Sequence, residues 1–67
     1  MKLTVTIKMD NAAFFAEDDS ETVIGGEAAR ILTELAENLD ETVLDIGDSF
    51  NLSDINVNKV GTAKVTR

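Results

Sequence analysis

The chain has 67 residues, enough for one small α+β domain spanning 1–67, and at this size a core supplies no more than ~3–5 kcal/mol. It has no cysteine and no histidine, so disulfides, thiolate metal sites, the commonest metal ligand and the usual neutral-pH general base are all excluded. The net charge of −7 is unevenly spread: residues 10–54 hold all thirteen acids against Arg30 alone, a balance of −12, while Lys2, Lys8, Lys59, Lys64 and Arg67 give the two ends +5.

Taken in chain order, "KLTVTIKM" alternates without a break. Leu3, Val5, Ile7 and Met9 fall on one face, with Lys2, Thr4, Thr6 and Lys8 on the other, the pattern of a half-buried strand. Asp10 and Asn11 end it with turn-prone side chains. "AAFFAEDDSE" has no period. Phe14 and Phe15 are expected to cap one end of the core, and "EDDSE" to be a solvated loop.

"GGEAARILTELAENLDE" predicts the helix. Ala28, Ile31, Leu32, Leu35 and Leu39 recur at three- and four-residue spacing to form an apolar stripe. Glu27, Arg30, Glu34, Glu37 and Glu41 are expected on the opposite, solvated side. Gly25 and Gly26 place the start, because each would cost about 1 kcal/mol in a helix interior. "TVLDIGDSF" reads as a connector or short strand with a turn at Gly47 and Asp48. "FNLSDI" and "VGTAKVT" then read as two strands around "NVNK". Asn56 and Asn58 suit such a bend, since asparagine tolerates the left-handed conformation that short hairpins demand.

The order β-α-β-β predicts one helix on a three-stranded antiparallel sheet, with the first strand beside the last (strand order 1-3-2). Lys2, Lys8 and Lys64 would then face outward from the sheet, and the helix carboxylates outward on the other side. Asp54, Asn56 and Asn58 alternate as at the start of a calcium loop. Counted from Asp54, however, the positions that need glycine and a bidentate glutamate hold Lys59 and Val65, so the stretch reads as a turn with no metal.

"DNAAF" after the first strand, "EAARIL" with "LAENL", and "LSDINVNKVG" resemble a widespread group of small phage and prophage β-α-β-β proteins. That group shares the Asn-Ala-Phe turn, the Glu-x-Ala-Arg-Ile-Leu helix start and a terminal L-x-D-x-N-G-N-x-V-G hairpin. The chain departs at Val57, where the group usually has glycine. In size, acidity and context it is also similar to anti-CRISPR inhibitors, several of which mimic DNA.

Without His, Cys or Tyr, catalysis would have to rest on paired carboxylates, so no enzyme and no cofactor are expected. The expectation is instead a non-catalytic acidic inhibitor. It would bind a basic DNA-handling surface of a host protein, with a CRISPR surveillance complex as the candidate target. Its binding residues would be Glu17, Asp18 and Asp19 on the loop and Glu34, Glu37, Asp40 and Glu41 on the helix. The helical set rises by about 4.5 and 6 Å between successive members, compatible with a phosphate every ~3.4 Å per strand of DNA. Direct nucleic-acid binding is not expected from five scattered cations. No apolar run reaches the ~18 residues of a membrane span and no signal peptide is read, so a soluble protein of the host cytoplasm is expected. The alternative is a small structural or self-associating protein, a monomer or weak homodimer, whose acids only solvate it and whose first strand pairs with a copy of itself.

Overall fold

The computed structural model describes the backbone of residues 1–16 and 19–67, and the side chains of residues 1–15 and 23–67. Glu17 and Asp18 lie outside the described residues, as does the side chain of Asp19. The element order is β1 (Lys2–Ile7), a 3₁₀ turn (Ala12–Phe14), β2 (Phe15–Ala16), β3 (Asp19–Val23), α1 (Gly26–Asp40), β4 (Ser49–Ser53) and β5 (Lys59–Thr66). β1, β5 and β4 form an antiparallel sheet in the order β1-β5-β4, as the sequence predicts. The stretch read as a loop after Phe14 contains a further element, a short antiparallel β2–β3 pair with an irregular register. Its aperiodic sequence carries no period-two signal to reveal it.

Alternation fixes the two faces of the sheet. Pairing of Leu3 with Val65, Val5 with Ala63, and Ala63 with Phe50 puts these apolar residues on one side. Lys2, Thr4, Thr6, Thr62, Lys64 and Asn51 share the other, so the outer face is basic and hydroxyl-rich as expected. A bulge between Leu52 and Ser53 gives β5 one extra residue, Val60, whose side chain joins the core instead of the polar face. In the central strand Gly61 sits opposite Ile7, where a Cβ would collide with the Thr6 carbonyl oxygen. Only glycine lets β1 come this close.

The core gathers Phe14, Ile31, Leu35, Leu52, Val60 and Ala63. Phe14 is completely buried in it, with Phe15 packed against it. α1 lies over β4 and the 3₁₀ turn, and the molecule is elongated, 42 × 20 × 17 Å. This leaves part of the predicted apolar rows bare. Leu3 and Val5 remain 41% and 36% exposed on β1, and Leu32 at the margin of the helix stripe is 45% exposed. No helix among the described residues is long and apolar enough to cross a membrane.

Candidate functional site

The residues of the quoted motifs converge, and they do so around one carboxylate. Asp54, only 3% exposed, accepts the backbone N–H groups of Asn56 and Asn58 on Oδ1, each at 2.9 Å. Its Oδ2 accepts Asn11 Nδ2 at 2.9 Å and Asn58 Nδ2 at 3.3 Å. Both oxygens therefore face N–H donors, the arrangement of an Asx turn and not of a cation cage. Two backbone bonds close the same loop, from Asp54 N–H to Asn58 O and from Val57 N–H to Asp54 O. The left-handed residue is Val57, at φ 65°, and neither asparagine. Asn58 contributes its side chain to Asp54 instead.

Glu27 completes this knot from the helix side, which corrects the expectation that it faces solvent. It is 9% exposed, and its Oε2 accepts the Ile55 N–H at 2.7 Å, tying the first turn of α1 to the hairpin. Arg30 grips Glu27 through Nε at 2.8 Å and Nη2 at 3.1 Å, and Nη2 also donates to the Ser53 carbonyl at 3.1 Å. The Arg30 guanidinium, helped by the Ile55 N–H, holds the Glu27 carboxyl below the usual carboxylate range against the opposing effect of burial. Glu27 in turn raises the pKa of Arg30. For Asp54, burial pushes upward, but the donors from Asn58, Asn11 and Asn56 outweigh it and the net shift is downward. Among the described residues no buried side-chain nitrogen or oxygen lacks a partner. The motif residues are thus consumed by the fold.

The acids expected to bind a partner are arranged differently. With 3.6 residues per turn, Glu34, Glu41, Arg30 and Glu37 fall within a sector of roughly 60° along one flank of α1. Asp40 stands a further ~60° round, on the crest opposite the core. Glu34 is an ion-pair partner of Arg30 at 2.8 Å, with its side chain 66% exposed. Glu37, Asp40 and Glu41 are exposed and take part in no ion pair among the described residues. The structure brings together Glu34, Glu37 and Glu41, with Asp40 beside them. It does not bear on Glu17 and Asp18, and it places the Asp19 backbone in β3.

Beside this flank lies a feature that periodicity alone does not reveal. A groove of about 40 Å³ runs between α1 and β4, with Ile31, Leu35, Phe50 and Leu52 as its apolar lining and Glu34 and Asn38 on the helix side. The Arg30–Ser53 bond sets the N-terminal half of α1 against the C-terminal end of β4. The chain matches no family model, no curated protein and no solved structure.

Proposed function

We propose that this chain is a non-catalytic, phage-type binding protein that offers the carboxylates of α1 to a basic, DNA-handling surface of a host protein, with a CRISPR surveillance complex as the target to test first. The observation that carries this reading is the contrast in how the acids are used. Asp54 and Glu27 are fully engaged inside the molecule, whereas Glu37, Asp40 and Glu41 crowd the end of α1 without a counter-charge among the described residues. The last turn of the helix has no basic residue, and its dipole disfavours anions there by about 0.3–1 kcal/mol each. Such a cost in a small domain points to a role for these acids other than stability. With Glu34 held by Arg30, the mimicry rests chiefly on the other three. The test is capture from host lysate by the tagged protein beside the variant E34Q/E37Q/D40N/E41Q. A DNA-binding partner held only by the wild type, and released by competing duplex DNA and by salt, is the expected result. Equal capture by both forms would refute the proposal.

One observation favours the alternative of self-association. β1 is an edge strand whose Leu3 and Val5 stay more than a third exposed, so a second copy pairing there would cover them. A light-scattering mass that rises with concentration supports this reading, and a strict monomer opposes it.

A further inference from the structure

We infer that the open edge of β4, together with the α1 flank beside it, is a slot that takes an extended, basic segment of a protein partner as a fourth strand of the sheet. The inference rests on the reading above that the partner is basic, and it specifies how the partner is held.

Four features of the slot point to this occupant. β4 is the last strand on its side of the sheet. Val65 N–H donates to Asp48 O and Asp54 N–H to Asn58 O, while Phe50 and Leu52 pair with Ala63 and Gly61. The even-numbered residues of β4 therefore direct their backbone groups at β5, and those of Ser49, Asn51 and Ser53 point away from the sheet. Of these outward groups only the Ser53 carbonyl has a partner among the described residues, the Arg30 guanidinium.

Second, from Ser49 to Leu52 this edge is unguarded. Folded proteins protect exposed edges with lysine, proline or bulges. β1 ends against Lys2 and Lys8, but "SFNLS" has neither charge nor proline, and its one bulge lies at the Ser53 end. Third, beside this edge the groove is bordered by the half-buried Phe50 and the exposed Glu34 and Asn38, with Ile31 and Leu35 beneath them in the core. Fourth, Glu34, Glu37 and Glu41 share the flank of α1 to which Arg30 belongs, and Arg30 itself reaches over to β4. Helix-side residues of the incoming strand thus meet Phe50 and the carboxylates of the flank. Lysine and arginine fit both, with apolar stems against Phe50 and charged heads at the carboxylates. Strand addition supplies main-chain bonds and the alternate side chains supply selectivity.

The probe is an N-acetylated, C-amidated heptapeptide of alternating threonine and arginine, titrated into the ¹⁵N-labelled full chain. Amide shifts are expected at Ser49–Ser53 and along Glu34, Asn38 and Glu41, with β1 unmoved. Three comparisons define the mode. The same peptide N-methylated at alternate residues should bind at least about tenfold more weakly, because it cannot complete the ladder. N51P, which removes an outward N–H and leaves the β5 ladder intact, should weaken binding as much. E34Q/E37Q/E41Q should lose about tenfold, and a glutamate-for-arginine peptide should not bind. If N51P fails to fold, the N-methylated peptide alone decides. Equal binding of the methylated and plain peptides, or shifts confined to α1, would overturn the slot and leave the acidic-face reading standing. Shifts centred on β1 would also overturn it. No shift with the arginine peptide would overturn the slot too, and duplex-competed capture would then judge the wider reading by itself.

Discussion

The two halves of α1 treat the same functional group in opposite ways. In the first turn, Glu27 is buried, bonded twice by Arg30 and once by the hairpin, and faces Asp54, which has four donors of its own. In the last turn, Asp40 and Glu41 are exposed, sit at the unfavourable end of the dipole and have no cation nearby among the described residues. The difference separates carboxylates that the fold uses from carboxylates that it leaves exposed. Carboxylates enclosed by donors organise the chain, whereas those at the end of α1 stay exposed at its surface.

The largest expected effect is at the enclosed end. Asp54→Ala strips the acceptor from four N–H donors, two of them backbone groups that cannot move away, in a domain whose whole stability is only ~3–5 kcal/mol. This variant should have no folded population at room temperature by circular dichroism. If it melts like the wild type, the knot is not what holds hairpin to helix.

Acid should undo the same region next. Asp54 and Glu27 both have lower pKa values folded than unfolded. Their contribution is therefore fully present above the unfolded carboxylate range of about 4 and is lost as pH falls through the folded values. Melting temperature should hold steady from neutral pH to about 5 and then drop, and Glu27→Gln should flatten that drop. A drop of unchanged size in this variant would assign the acid sensitivity elsewhere.

A smaller change of opposite sign is expected at Val57. A β-branched residue at φ 65° costs roughly 1–2 kcal/mol, and the extra chain entropy of glycine returns about 0.5–1 of it. Val57→Gly should therefore raise stability by up to about 1 kcal/mol, measured by urea denaturation. Least of all should move at the exposed end. D40N/E41Q should leave stability unchanged or raise it by under about 1 kcal/mol while weakening partner capture, which places the two regions in different roles. A marked loss of stability in this pair would erase the contrast.

Much of the architecture was legible because it follows from local periodicity. The unbroken alternation of "KLTVTI", the stripe through Ile31 and Leu35, and the turn chemistry around Asn56 and Asn58 led to one helix on a sheet ordered β1-β5-β4. The short β2–β3 pair escaped because β2 has only two residues and β3, "DSETV", shows no apolar alternation. Glu27 was misplaced for a different reason. A charged residue on a helix is read as solvated by default, and only a cation three residues on and a free N–H twenty-eight residues away reverse that. For the acids of the α1 flank, spacing indicated which could share a surface, yet not that Arg30 already holds Glu34.

By itself, then, the sequence determined the helix, the three strands of the main sheet with their faces, and the charge asymmetry, since each depends on neighbours within a few residues. The tertiary structure decided which carboxylates are spent and which are open, and that the helix stops short of β1 while leaving a groove along β4. Those outcomes depend on contacts between distant segments, Asn11 with Asp54 and Glu27 with Ile55, whose energy exists only once the chain has closed on itself.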